Sequence, residues 1–269
     1  MRGSVSRTLR ALPTLLRVGV AETVAYRAEF LVWILTMTMP LVMLGLWRSV
    51  AAEAPFAHYQ SQDFVAYYLA NLIVRNLTSS WVAWNVSEEV RMGTMSMRLL
   101  RPIHPIVAFG SMHLAAVPFR SVMALPVAII LLASSGATAL ATDPLQLALV
   151  VPSIALAWLI TFSIQFALGS LAFWITQSGA LVNLYFGAFS VLSGYLLPLD
   201  LMPGWIATVA RFTPFPSMLA APVTMLTREL TSGQIAELLG TQLGWAAGMV
   251  ALALAVWRVG VRRFEAVGA

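Results

Sequence analysis

Six long apolar runs divide the sequence, and each is bounded by charged or turn-forming residues. A helix that spans a bilayer needs about 20 consecutive apolar residues. With 59% hydrophobic and only 10% charged residues, the chain of 269 residues could not hide its apolar surface from water in a soluble fold. We therefore predict an all-α, polytopic integral membrane protein with six transmembrane helices in a single domain, residues 1–269. The predicted spans are residues 28–48, 64–84, 109–133, 146–172, 179–198 and 241–260.

The distribution of arginine predicts how these spans are oriented. Five arginines precede the first span, three lie between the second and third spans, and three follow the last span. The loops on the other side hold only Arg48, Arg211 and Arg228. Because loops rich in Arg remain in the cytoplasm, we expect a multi-pass protein of the cytoplasmic (inner) membrane with both termini in the cytoplasm. The formal charge of +5 then reflects topology and gives no reason to expect nucleic-acid binding.

Two segments outside the spans carry their own patterns. In residues 1–27, Leu9, Leu12, Leu16 and Val20 recur at helical spacing with arginines between them, which predicts an amphipathic helix in the membrane interface. The region 198–240 is long, rich in Pro and mostly apolar. Because a free aqueous loop would be more polar, we predict short re-entrant helices in the outer leaflet, covered by neighbouring spans.

Composition also excludes several classes of catalytic site. The chain has no Lys, so it cannot form the phosphate-binding G-x-x-x-x-G-K-[ST] loop of many ATPases. It has no Cys, its three His are scattered, and it contains neither a G-x-S-x-G nor an H-E-x-x-H motif. We therefore expect no catalytic residues, no metal site and no cofactor bound by this chain.

Polar residues inside the spans are the first candidates for a functional site. The second span carries Tyr68, Asn71, Arg75, Thr78 and Ser79 at spacings that place them on one helix face. An Arg near the bilayer centre normally faces protein or water, because exposing it to lipid costs about 2.5–3.5 kcal/mol. Two interpretations stay open: a polar substrate pathway, or arginines that tie helices together. The candidate pathway residues are Tyr68, Asn71, Arg75, Ser79, Arg120 and Asn183.

The loop between the second and third spans, residues 85–104, reads NVSEEVRMGTMSMRLLRPIH from Asn85. Asn85 or Ser87 could cap a short helix, which Gly93 would interrupt. Beyond Gly93, we expect Met95, Leu99 and Leu100 to offer an apolar face. Such a helix suits docking onto a partner protein, although an ordinary helix on the membrane surface would show the same pattern.

The same loop carries a family resemblance. Glu89, Gly93, Thr94 and Met95, followed by L-L-R-P from Leu99, resemble the E-x-x-x-G-T-L and L-L-x-P segment of type-2 ATP-binding-cassette (ABC) exporter permeases. The text SG…P…MPGW…P between residues 193 and 214 is similar to the region after the fifth span in that family. The opening Y-R-A-E-F at residues 26–30 resembles one bacterial branch whose permeases often work in unlike pairs. The chain departs from the family at residues 96–98, where many members carry an acidic residue.

The resemblance implies a permease subunit that forms half of a substrate pathway and has no ATP site of its own. Its partners would be two cytosolic ABC ATPase subunits, which bind ATP and Mg, and a second permease, identical or homologous. The loop would be the coupling helix that docks onto the ATPase. The coupling residues would be Glu88, Glu89, Arg91, Gly93, Thr94, Arg98, Leu99 and Leu100.

Other function classes remain open from the residues alone. A hydrated groove around Arg75 could attract acidic client segments, as expected of a membrane-protein insertase or assembly factor. An intramembrane hydrolase would need a recognisable Ser elbow, which the sequence lacks. The sequence does not indicate which substrate is transported.

Overall fold

A computed structural model describes residues 11–21, 39–53, 55–57, 59–119, 121–122, 126, 140–175 and 179–267. These residues form helices joined by short turns, and the only β pairing among them is an isolated bridge between Phe56 and Tyr59. The helices are α1 (Ala11–Ala21), α2 (Met39–Glu53), α3 (Ser61–Thr78), α4 (Val82–Arg91), α5 (Met95–Leu99), α6 (Pro105–Ala115), α7 (Pro144–Ser170), α8 (Gly179–Leu192), α9 (Gly204–Arg211), α10 (Phe215–Met218), α11 (Ala220–Thr227) and α12 (Ser232–Val267).

Two of these helices are long and apolar enough to cross a membrane. They are Pro144–Phe173, in which a 3₁₀ turn extends α7, and Ser232–Phe264 within α12. At 1.5 Å per residue, the 27 residues of α7 span about 40 Å, more than the roughly 30 Å of a bilayer core. Asp143 caps α7 by accepting hydrogen bonds from the next two backbone N–H groups. These helices contain the predicted spans 146–172 and 241–260.

The other four predicted spans are matched by shorter or more polar helices. The structure describes α2, α6 and α8 where spans one, three and five are predicted, each with fewer than 18 residues. Residues 28–38, 120, 123–125 and 127–133 of these predictions lie outside the described residues. The count of six spans therefore stays a prediction.

The prediction for the second span, residues 64–84, has the wrong end. Helix α3 stops at Thr78, and Ser79 has an extended backbone with φ −63° and ψ 144°. The side chains around the break bond to local backbone groups: Thr78 donates to the Val74 carbonyl, and the Val82 N–H donates to the Ser80 hydroxyl. Such local bonds compete with continuation of a helix. A separate helix, α4, then begins at Val82.

Helix α3 lies at the centre of the fold. Thirteen of its eighteen residues are buried, which explains why it can carry Asn71 and Arg75 away from lipid. It packs against α2, α7 and α11. Its aromatic residues Phe64 and Tyr68 belong to a large apolar cluster that also includes Tyr185 and Phe189 from α8.

The region 198–240 contains α9, α10, α11 and a 3₁₀ turn before α12 begins at Ser232. Pro203 and Pro214 directly precede two of these helices. Proline is tolerated there because the N–H groups at the start of a helix make no hydrogen bond within the helix. The short helices expected here are present. Their position in the outer leaflet stays a prediction.

The two ends of the fold are held by different kinds of interaction. At the end near α4 and α5, called the loop end below, Phe166 and Phe173 from α7 and its 3₁₀ turn pack against Trp257 of α12. At the opposite end, called the Asp200 end, Gln146 of α7 bonds the carbonyls of Met225 and Arg228 at 2.7 and 2.6 Å. Contacts between aromatic side chains thus hold the helices together at the loop end, and side-chain hydrogen bonds hold them together at the Asp200 end.

Apart from Arg17 of α1 and the buried Arg75, the arginines in the described residues separate between these two ends. The loop end carries a set in the α4–α5 loop and at the end of α12: Arg91, Arg98, Arg101, Arg258, Arg262 and Arg263. The Asp200 end carries Arg48, Arg211 and Arg228. The grouping inferred from the sequence therefore matches the grouping in space.

A buried amide joins α7 to α12 in the middle of the fold, and its removal should destabilise the protein. Gln242 accepts from the Ser153 hydroxyl at 2.8 Å and donates to the Ser217 carbonyl at 2.8 Å. We expect Gln242→Leu to lower the free energy of unfolding by about 1–2 kcal/mol. Thermal unfolding of the purified protein in detergent measures this loss. Leu243→Ala, on the exposed face of the same helix, is the control and should leave the midpoint almost unchanged; equal midpoints for both variants would contradict the prediction.

Candidate functional site: the α4–α5 loop and the buried arginine

The loop end is built from two short helices that meet at a glycine. Helix α4 ends at Arg91, Gly93 adopts φ +73°, and α5 begins at Met95. The left-handed conformation strains any residue that has a Cβ atom by roughly 1–2 kcal/mol. The interruption predicted at Gly93 is therefore present. The predicted caps are wrong: α4 starts at Val82, so Asn85 and Ser87 lie inside the helix.

An ion pair ties the two short helices together across the turn. Arg98 of α5 donates from Nε to Oε2 of Glu89 in α4 at 2.6 Å, and from Nη2 to the other carboxylate oxygen. The Arg98 guanidinium also lies 4.1 Å above the ring of Phe109 in α6. A bidentate pair that is only about one-fifth exposed is more rigid than a typical surface pair. The turn therefore has one defined shape.

The apolar face expected at Met95, Leu99 and Leu100 is wrong in part. Met95 is fully buried and Leu99 packs behind it, so only Leu100 of the three is exposed. A helix of five residues must pack one side against the rest of the protein to be stable, and α5 does so through the buried Met95. The exposed apolar residues are Met92, Met97 and Leu100, which are 71%, 64% and 87% exposed. We call these three the tip patch.

The turn is seated firmly on the long helices. A Cβ atom at Gly169 of α7 would lie 2.7 Å from the Ala83 carbonyl oxygen of α4, so the two helix backbones are in direct contact. His113 of α6 lies within hydrogen-bond distance of Asn85, 3.1 Å from Nε2 to Oδ1. His113 itself is buried. The loop therefore forms one packed unit with α6 and α7.

The amphipathic N-terminal segment also packs at this end. Helix α1, residues 11–21, approaches α6 so closely that a Cβ atom at Gly19 would lie 2.9 Å from the Ala115 Cβ. Leu16 and Val20 of the predicted apolar stripe remain more than one-third exposed, as expected for side chains that face lipid. Leu9 lies outside the described residues.

Two residues of the polar face of α3, together with the neighbouring Tyr67, bond to the turn that follows α8. Tyr67 donates to the Gly194 carbonyl at 2.5 Å, and Tyr68 donates to the Leu196 carbonyl at 2.7 Å. The Asn71 amide is 3.4 Å from the same Gly194 carbonyl. Gly194 has φ +85°, and a Cβ there would collide with the Tyr67 hydroxyl. Tyr68 and Asn71 therefore hold the fold together at this position.

Arg75 is the exception on this face. It is 7% exposed, and within the described parts of the chain it makes no hydrogen bond or ion pair that would neutralise it. Its guanidinium lies 4.5 Å from the centre of the Phe189 ring and 5.9 Å from that of Tyr195. Cation–π contacts of this kind contribute about 2 kcal/mol when desolvated. A buried cation with donors directed at no acceptor is suited to binding an anionic group.

Polar atoms near Arg75 share this lack of partners. The Ser193 hydroxyl, the Asn71 side-chain oxygen and both amide atoms of Gln165 are buried without a hydrogen-bond partner in the described residues. Gln165 lies beside Tyr185, which interacts electrostatically with Arg75. A site that could hydrate or bind polar groups therefore surrounds the guanidinium.

The remaining pathway candidates do not join this cluster. Ser79 is buried at the end of α3, and its hydroxyl lies 3.5 Å from the Asn76 carbonyl. Asn183 lies on the exposed face of α8, away from the buried Tyr185. Arg120 lies outside the described residues. Of the six candidates, Tyr68, Asn71 and Arg75 come together.

A cluster of charges at the Asp200 end was missed by the sequence reasoning. Arg228 donates to Asp200 at 2.6 Å and also to the Tyr59 hydroxyl, which in turn donates to Asp200. Burial and the Asp200 charge raise the pKa of Tyr59, so its hydroxyl keeps its proton. Burial opposes the charge on Arg228, but the hydrogen bonds and electrostatic attraction to Asp200 and Tyr59 together outweigh this effect and raise the pKa of Arg228. These residues are far apart in sequence and show no common motif.

Comparison with known protein families agrees with this architecture. The family model described as ABC-2 family transporter protein matches residues 30–268. The chain belongs to the ABC-2 transporter family. Members of this family are membrane components of transporters that generally work with ABC ATPase subunits. The resemblance read from the α4–α5 loop is thereby confirmed, and this ABC-2 protein is a membrane protein. No curated protein matches the chain.

A histidine beside the loop should make the stability of this ABC-2 protein depend on pH. His104 caps α6 by accepting from the Ile106 N–H at Nδ1, which requires a neutral ring. Burial and the nearby Arg258 lower the pKa of His104 below its ordinary 6.5. The folded state therefore binds fewer protons, and stability present above pH 6.5 should be lost as the pH falls.

The variant His104→Asn keeps a capping side chain but does not titrate. We expect the unfolding midpoint in detergent to fall less between pH 7.5 and pH 5 for the variant than for the native protein. Equal falls would show that His104 does not contribute to the pH dependence.

Proposed function

We propose that this chain is the permease subunit of an ABC exporter, and that the α4–α5 loop is its coupling element. It lies in the cytoplasmic membrane with six spans and both termini in the cytoplasm, and it forms half of a substrate pathway. Two ATPase subunits, which bind ATP and Mg, drive it, and a second permease of the same or a similar sequence completes the pathway. Membership of the ABC-2 family supports the class of protein.

The observation that carries this proposal is the combination found at the loop end. The turn is rigid, because the Glu89–Arg98 pair and the buried Met95 hold it to the membrane helices. The tip patch nevertheless leaves three large apolar side chains exposed at one end of the molecule. Exposed, flexible Met side chains adapt well to a partner's groove, and Arg91 and Glu88 beside them add charges that favour one orientation.

The seat of the loop gives a physical route for force. A displacement of the tip patch would move α4, and α4 is in backbone contact with α7 at Gly169. Helix α7 packs along α12 and against α3, which carries Arg75. Closure of an ATPase pair would thus reach the buried arginine through packed helices and without a flexible link.

Arg75 is the residue we assign to the substrate pathway. Its charge is buried beside aromatic rings and unpartnered polar atoms, an arrangement that favours a substrate with one anionic group. Tyr68 and Asn71 would support the pathway wall, since their hydrogen bonds fix the turn that carries Tyr195 over the guanidinium. The same burial weighs against the insertase alternative, which requires an open groove at Arg75.

The tip patch should control binding of the ATPase. We expect the triple change Met92→Ser, Met97→Ser and Leu100→Ser to reduce the amount of ABC ATPase that co-purifies with the tagged chain by about tenfold or more, because apolar anchors dominate such interfaces. Leu145→Ser removes an equally exposed side chain at the Asp200 end and should leave co-purification unchanged. Normal ATPase recovery with the triple variant would contradict the assignment of the loop.

The geometry of the turn should control coupling more than binding. Gly93→Asn should retain most of the transport-coupled ATP hydrolysis of the reconstituted complex, because Asn tolerates the left-handed conformation. Gly93→Val should abolish the coupling of ATP hydrolysis to transport. Arg98→Glu should lower coupled hydrolysis, and adding Glu89→Arg should restore part of it by reversing the pair. If Gly93→Asn and Gly93→Val behaved alike, the conformation of the turn would not be the controlling feature.

A cross-linking experiment separates the exporter from the insertase. A photo-reactive residue in place of Arg75 should trap no nascent polypeptides during synthesis of membrane proteins. Trapped nascent chains would favour the insertase and overturn the exporter proposal.

A further inference from the structure

A cavity of about 680 Å³ lies at the Asp200 end, away from both the loop and Arg75. It is a half-open space lined by the start of α3, the short helices α9 to α11 and the first turns of α12. Volumes of 300–1,000 Å³ are typical of sites for small ligands. The permease proposal above does not use this cavity.

The charges around the cavity are not all neutralised by one another. Arg228 is already paired with Asp200 and bonded to Tyr59. Arg211, the last residue of α9, and Glu237, in the second turn of α12, also line the cavity. Neither forms an ion pair with any residue that the structure describes, and they are too far apart to pair with each other. One free cation and one free carboxylate thus face the same space.

The cavity lining combines charged, hydroxyl and apolar groups. Glu237 and Trp245 are eight residues apart on α12, which corresponds to about 12 Å along the helix axis. Hydroxyl groups of Thr224 and Thr241 lie among the lining residues, whereas Leu199, Leu238 and Trp245 supply apolar surface. The cavity is therefore suited to a ligand with a charged head and an apolar body.

We propose that this cavity binds a zwitterionic headgroup that combines a phosphate with a primary ammonium group. Arg211 holds the phosphate, because a guanidinium matches phosphate geometry and carries a permanent charge. Glu237 holds the ammonium. A purely anionic headgroup would meet Glu237 without a counter-charge, and a purely cationic one would meet Arg211, so the pair selects a ligand that carries both charges.

The chemistry is shared by a lipid, phosphatidylethanolamine, and by free phosphoethanolamine. The proposal goes beyond the permease function and does not depend on ATPase docking. It can therefore fail while the permease proposal holds, and the reverse also applies.

The test is calorimetric titration of the purified full-length chain in detergent with three probes. They are dihexanoyl phosphatidylethanolamine, dihexanoyl phosphatidylglycerol and free phosphoethanolamine. We expect the zwitterionic lipid to bind about tenfold more tightly than the anionic lipid of equal chain length, consistent with one charged hydrogen bond. Binding of free phosphoethanolamine at the same strength would identify a soluble ligand, and failure of the free compound alone would identify the lipid.

Two variants assign the two charges. Arg211→Gln should weaken binding of the zwitterionic lipid by about tenfold, and Arg211→Lys should restore part of it. Glu237→Gln should remove the preference for the zwitterionic lipid over the anionic one, because the carboxylate that repels the anion is gone. Arg48→Gln, an exposed Arg at the same end that does not line the cavity, should change neither value.

Two results would overturn the proposal. One is equal binding of the zwitterionic and anionic lipids to the native protein. The other is a preference that survives in both Arg211→Gln and Glu237→Gln. Unfolding midpoints equal to that of the native protein show that each variant is folded, as expected for changes at exposed side chains.

Discussion

The pairing of α7 with α12 is the interaction on which the rest of the structure depends. Both helices are longer than a bilayer core is thick, and they contact each other over most of that length. Phe166 and Trp257 pack together near one end, and Gln242 bonds to Ser153 towards the other. Because α3, α4 and the short helices α10 and α11 pack against this pair, its separation would remove the support of every candidate site.

The sequence predicts best those features of the structure that are determined by residues close together in the chain. The predicted spans 146–172 and 241–260 lie within Pro144–Phe173 and α12, because twenty consecutive apolar residues permit little else, although α12 begins nine residues earlier than predicted. The end of α3 was placed wrongly, since hydropathy does not register the break between Ser79 and Trp81. The glycine turn at Gly93 could be predicted because a left-handed residue has a local sequence signature.

The tip patch and the cavity could not be predicted, for two different reasons. Helix α5 has five residues, too few for a periodic pattern to show that Met95 points inwards and Met97 outwards. Arg211 and Glu237 line the same cavity only because α9, which packs against α8 and α10, and the first turns of α12 border one space. Arg75 was singled out correctly as a buried cation, but its ring partners Phe189 and Tyr195 come from a different span and the turn after it.

The two ends of the protein differ in a way that suits transmission from one to the other. At the loop end, aromatic packing and the backbone contact at Gly169 leave little freedom, so a push there moves helices as units. At the Asp200 end, the Arg228–Asp200 pair is between one-third and one-half exposed, and water can replace its hydrogen bonds at small cost. Under the coupling proposed above, a displacement that starts at the loop end would move packed helices as units, whereas the contacts at the Asp200 end can exchange with water.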